Sequence, residues 1–244
     1  MGSLAHVLAP LAQIDDSFFK DRSESDCISD NGTFCASWAV DNIDRYIGPA
    51  LEHIVLVAVS VVAGFAIALA LAVLSHRRRW LMPPLTAATG ILYTIPSIAF
   101  FFLLLPITGR GNLTAVIALT AYTLQILYRN IIAGLANVPA ETKDAGRGMG
   151  MSDRQLMWRV EIPLAMPEII AGLRIATVST VAIATLAVFA GGDGLGSELV
   201  GSNITFKTGV IIAGGMAIII AITFDLLLVL AQRLLAPWRK VRPV

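Results

Sequence analysis

Long uncharged stretches alternate with short polar blocks along this chain, and that alternation defines its elements. Residues 54–74, 85–105, 113–132, 169–190 and 210–230 form five apolar windows, and the first two hold no charged side chain. Each window is about twenty residues long, enough to cross roughly 30 Å of hydrocarbon at about 1.5 Å per helical residue. The runs are continuously apolar rather than alternating, and each is about twice the length of a barrel strand, so the pattern predicts helices. The expected fold is an all-α integral membrane protein with five transmembrane helices. Its expected domains are an N-terminal segment 1–48, a membrane domain 49–235 containing a polar two-helix loop at 135–168, and a tail 236–244.

Composition agrees with this reading. The chain has 244 residues, 56% hydrophobic and 14% charged, with a mean hydropathy of +0.75. So much apolar surface does not fit inside one soluble core. Basic residues set the expected orientation, because in short loops they stay on the cytoplasmic side. Arg77, Arg78, Arg79, Arg129, Lys143, Arg147, Arg154, Arg159, Arg233, Arg239, Lys240 and Arg242 fall on one side, against Lys20, Arg22, Arg45, Arg110 and Lys207 on the other. That count puts the N-terminus outside, the C-terminus inside and the 135–168 loop in the cytoplasm. The start of the chain lacks a basic n-region, so the first span is expected to serve as its own insertion signal.

The outer segment carries both cysteines of the chain, Cys27 and Cys35. In an oxidising compartment they are open to forming a disulfide; two free thiols in a tail are the alternative. Residues 38–53 place Val40, Ile43, Ile47 and Leu51 at helical spacing among Asp41, Asp44 and Arg45, which predicts an amphipathic helix on the outer surface. Trp38 and Tyr46 are expected at headgroup level. His6, His53 and His76 stand apart from one another with no ligand partners at metal spacing, so no metal site is expected and His76 is read as solvated. The net charge of +1 gives no reason to expect a nucleic-acid partner.

Tyr93-Thr94-Ile95-Pro96-Ser97 interrupts the second window. Proline deletes a backbone hydrogen bond and clashes with the preceding turn. In a bilayer the freed groups must face protein or water, so Tyr93, Thr94, Pro96 and Ser97 are candidates for lining a path; a kink needed only for packing is the alternative. The glycine-rich stretch 191–196 lacks the following Gly-Lys-Ser/Thr and the preceding strand of a nucleotide cradle. It is read as an outer reversal followed by a short helix at 197–200. No paired carboxylates or nucleophile set suggests catalysis, and no cofactor is expected.

Within 135–168, Pro139 suits a first helical turn, Gly150 a reversal, and Ser152 the cap of a second helix running to Arg159 and ended by Pro163. Met149, Met151, Leu156, Met157 and Trp158 are too apolar for a free loop, which points to cover by a partner or by the protein's own helix ends. Arg174 and Asp225 each lie five residues inside the same end of adjacent windows, about 7.5 Å deep, and are expected to pair. A snorkelling Arg174 with Asp225 in a watery vestibule is the other reading.

The motif Asp144-Ala145-Gly146, three residues, Gly150, nine residues, Val160, one residue, Ile162-Pro163 keeps the spacing of the signature loop of ABC-importer permeases, usually E-A-A…G…I-x-L-P. Taken with Tyr93 to Ser97, residues 161–167, 171–174 and 194–196, the chain from 51 to 239 resembles the glycine betaine/carnitine/choline/proline branch of that family. The resemblance implies a non-catalytic permease that imports osmoprotectants. Its implied partners are cytoplasmic ABC ATPase subunits contacting Asp144, Ala145, Gly146, Gly150, Val160, Ile162 and Pro163, a second permease copy or sister permease, an extracytoplasmic binding protein, and the bilayer. A permease for an amino acid such as methionine is the first alternative. An ion-coupled secondary transporter is the second; the spans offer it only Asp225 and no internal repeat.

Overall fold

The computed structural model describes residues 31–200 and 205–236, and all regular structure among them is helical. In chain order the helices are α1 (Ala36–Asp41), α2 (Asp44–Arg77), α3 (Met82–Thr94), α4 (Ser97–Thr108), α5 (Asn112–Ala136), α6 (Ala140–Gly148), α7 (Asp153–Leu156), α8 (Ile162–Ala184), α9 (Gly196–Val200) and α10 (Lys207–Leu235). A π turn, Met157–Glu161, joins α7 to α8, and a 3-10 segment, Thr185–Ala190, follows α8. Among the described residues, helices α2, α5, α10 and the unbroken run 153–190 are each long and apolar enough to cross a membrane; α3 and α4 are so only taken together, as a pair bent by 100°.

Helix α5 is the centre, packed against α2, α3, α4 and α8. Close approach depends on small residues on its neighbours. A Cβ added to Gly64 of α2 would lie 1.8 Å from Thr123 Oγ1, and one added to Gly172 of α8 would lie 2.4 Å from Asn130 Cβ. Between apolar helices in lipid, association depends on such backbone proximity rather than on water exclusion. Ala68 and Ala72 of α2 and Ala165 and Ala176 of α8 are fully buried with Leu127, Tyr128, Ile131 and Leu135 of α5. Tyr128 Oη donates to Ser75 Oγ at 3.0 Å, so the one polar tip in this layer is satisfied.

The break expected in the window 85–105 is present: the two helices meet at 100° across Ile95 and Pro96. Ile95 (ψ 128°) and Pro96 (ψ 133°) are both extended, as a proline forces on the residue before it. Two other expectations change. The surface helix over 38–53 does not form as one unit. α1 ends at Asp41, and residues from Asp44 onward belong to the 34-residue α2, which runs through the expected domain boundary at 48/49. Trp38 and Tyr46 are buried against the protein itself, with Trp38 edge-on to Phe206 at 4.7 Å and Cys35 N donating to Thr208 Oγ1 at 2.9 Å. Packing of this segment onto the start of α10 outcompetes its amphipathic pattern.

The second change is at Pro163, which sits in the first turn of α8 and ends nothing. The π turn accommodates it: Ile162 N bonds back to Met157 O, five residues earlier, and the widened turn makes room for the proline ring. At the other end of the bundle, Asn112 Nδ2 donates to Asp193 Oδ2 and Asp193 N donates to Asn112 Oδ1, both at 2.8 Å, fixing the glycine-rich reversal ahead of α9.

Candidate functional site

Helices α6 and α7 stand at the end of the bundle where α5 stops and α8 begins. Gly150 holds the reversal between them with φ +78°, a conformation L side chains rarely adopt. Ser152 then closes a capping box: Gln155 N donates to its Oγ, and its own N donates to Gln155 Oε1 at 2.9 Å. Gly146 is buried, and a Cβ there would come within 2.7 Å of Leu156 Cδ1, so the two short helices touch at the position where the signature usually has alanine.

The signature residues divide between core and surface. Ile162 packs in the core with Leu135 and Met157, and Gly146 is covered by Leu156. Asp144 and Ala145 are exposed, and Asp144 Oδ1 accepts from Arg147 at 3.2 Å. Val160 and Pro163 are half-buried. The five apolar residues expected to need cover also divide: Leu156 and Met157 are buried within the chain, while Met149 (72% exposed) and Trp158 (50%) are left out. Beside Trp158 lies an open hollow of about 380 Å³ lined by Ser152, Arg154, Gln155 and Arg159.

His76 is half-buried rather than free in solvent. Its Nε2 lies 2.7 Å from Glu161 Oε2, and the Glu161 side chain is only 6% exposed. The approach is close but not aligned as a hydrogen bond. It fastens the end of α2 to the π turn, beside a cavity of about 400 Å³ that also receives Arg77, Arg79, Arg147 and Arg154. A lone histidine next to an arginine run gave no signal of this, because the partner is 85 positions away.

At the α3–α4 break, Tyr93, Thr94 and Pro96 are exposed and Ser97 is half-buried. Thr94 Oγ1 donates to Ile91 O at 2.8 Å. Tyr122 of α5, which the sequence did not single out, donates its hydroxyl to the Ile95 carbonyl that the break frees. Thr89 Oγ1 donates to Gln125 Oε1 at 2.6 Å just before the bend, so α5 braces the bent helices at two points. Arg174 and Asp225 meet in the membrane-depth layer between α8 and α10. Cys35 is not a free thiol; Cys27 lies outside the described residues, and with it the proposed pairing. Among the described residues no group of three or more His, Cys, Asp or Glu side chains is arranged to hold a metal.

Helices α6 and α7 thus form a two-helix loop between apolar helices that keeps the signature spacing and leaves Met149 and Trp158 exposed. Residues 55–241 match the family of binding-protein-dependent transport system inner membrane components. The chain belongs to this family. It is 36% identical over 206 residues to the osmoprotectant import permease protein OsmW of Salmonella typhimurium, covering 82% of this chain and 96% of that one. To the choline transport system permease protein OpuBB of Bacillus subtilis it is 34% identical over 188 residues, 76% of this chain and 86% of that one. In fold it is similar to the inward-facing MetNI methionine ABC transporter, with a TM-score of 0.64, 21% identity, and coverage of 75% of this chain and 94% of that chain. As a component of this family it is a multi-pass membrane protein and a permease subunit of an ABC importer.

Proposed function

We propose that this permease forms the gated path of an ATP-driven importer for osmoprotectants of the quaternary-ammonium class, such as glycine betaine, choline and carnitine. The substrate class is supported by relatives at 34–36% identity that bear osmoprotectant and choline names over most of the chain. The methionine transporter shares the fold at 21% identity, which carries no substrate. The coupling role rests on one observation: Met149, Trp158 and Asp144 stand exposed on the α6–α7 loop, while its Leu156 and Met157 are buried within the chain.

In this reading the N-terminus is outside, and the α6–α7 loop is cytoplasmic and meets the ATPase. The loop continues into α8 through the π turn without a break, so movement of the ATPase is passed along α8 to the spans. A pair of permeases alternates the path between outward and inward faces, fed by an extracytoplasmic binding protein. The chain itself contributes no catalytic group; hydrolysis occurs in the ATPase. The test is uptake of labelled glycine betaine, choline and proline in cells with and without this subunit. Uptake of the quaternary-ammonium compounds that disappears with the subunit supports the reading; unchanged uptake of all three contradicts it.

A further inference from the structure

We propose that Tyr93 is a way-station for the cargo's quaternary ammonium group at the α3–α4 break; this rests on the osmoprotectant reading above. The cluster around the break contains three aromatic rings with different duties. Tyr122 is 5% exposed, and its hydroxyl is committed to the Ile95 carbonyl. Phe100 is 7% exposed and stands at 86° to Tyr122 with centroids 5.7 Å apart. Tyr93 stands at 70° to the same ring at 6.0 Å, yet is 46% exposed. Two rings are therefore braces, and the third offers ring surface outward.

The chemistry next to that ring favours a soft cation. Tyr93 is the penultimate residue of the 13-residue α3, where the helix carries its negative dipole end. Residues 80–109 contain no charged side chain. A quaternary ammonium has no N–H to donate and a weakly held hydration shell, so a ring face and carbonyl dipoles are the groups that recognise it. Without a carboxylate the hold is shallow, which suits a conduit: a site on a path must release what it takes. A helix pair broken at 100° within a membrane domain is found where protein or a water-filled path, not lipid, borders it, and the ring lies at that break.

The test uses the whole transporter, this chain with its ATPase and binding protein, in proteoliposomes, with choline as cargo. Residue 93 is replaced by Phe and then by Phe carrying one, two and three ring fluorines, which keep the shape while draining the ring face of negative potential. The unfluorinated Phe variant is the reference for the series, and uptake at limiting choline is expected to fall stepwise from it to about fivefold lower at three fluorines. A flat fluorine series overturns the site and leaves the osmoprotectant reading standing. Native transporter that moves no quaternary ammonium at all overturns that reading and the site with it.

Discussion

Arg174 and Asp225 meet in a two-pronged pair, Nε to Oδ1 at 2.7 Å and Nη2 to Oδ2 at 2.9 Å, that ties α8 to α10 at membrane depth. The pairing is bidentate, so it fixes the angle between the two helices as well as their distance. Their side chains are 34% and 30% exposed, which makes the pair weaker than a sealed one. Each single charge reversal is expected to cost on the order of 2 kcal/mol, below the roughly 3–5 of a fully buried pair. Exchanging the two, Arg174→Asp with Asp225→Arg, should recover part of the loss in thermal stability of the purified protein. If the double exchange is no better than the worse single variant, and Asp225→Asn is silent, the pair has no structural role.

Glu161 is the more buried acid, and His76 is its partner. His76→Ala removes the close partner of a buried carboxylate and leaves it only the cavity shared with Arg77, Arg79, Arg147 and Arg154, a loss of roughly 2–3 kcal/mol. Replacing both by apolar residues, His76→Leu with Glu161→Met, should regain most of that stability, because the cost lies in the stranded charge. Thermal unfolding of the three proteins decides it: a silent His76→Ala contradicts the pairing.

At Gly146 two effects oppose each other. Alanine would raise helix propensity by about 1 kcal/mol, while its Cβ would press on Leu156 Cδ1, now 2.7 Å from that position. The tip of a leucine side chain yields easily, so Gly146→Ala is expected to be close to neutral. Gly146→Val adds branches that Leu156 cannot clear and should destabilise by about 1–3 kcal/mol. Equal stability of the two variants would show that the α6–α7 contact is not tight.

The exposed patch on the loop predicts a partner surface. Trp158→Glu should weaken binding to the ATPase by about thirtyfold, the scale of an aromatic hot spot near 2 kcal/mol, while insertion of the protein in the membrane is unchanged. Asp144→Lys should leave the complex assembled but separate hydrolysis from uptake. Pull-down affinity and ATPase rates of the assembled complex read these separately; wild-type values in both variants would remove the loop from the interface.

What the sequence made legible was what repeats or keeps local spacing. The apolar windows, Gly150, the Ser152 cap and the register of Asp144 to Pro163 are all features of near neighbours in the chain. Arg174 and Asp225 were readable across 51 positions because depth in the membrane is itself a coordinate that the window edges supply. His76 and Glu161 have no such ruler: Glu161 lies in a π turn that no periodicity announces, and the turn is also why Pro163 continues a helix instead of ending one. Tyr122 was hidden for a related reason, since it completes a hydrogen bond that exists only once α3 and α4 have bent.

The central claim, import of quaternary-ammonium cargo driven by ATP through this chain, is tested most directly in sealed proteoliposomes holding the permease, its ATPase and its binding protein. Labelled choline or glycine betaine is supplied on the binding-protein side, with ATP or a non-hydrolysable analogue at the α6–α7 face. The account predicts accumulation against a gradient with ATP, none with the analogue, and no effect of a protonophore. Accumulation that survives without ATP and collapses with the protonophore would contradict it.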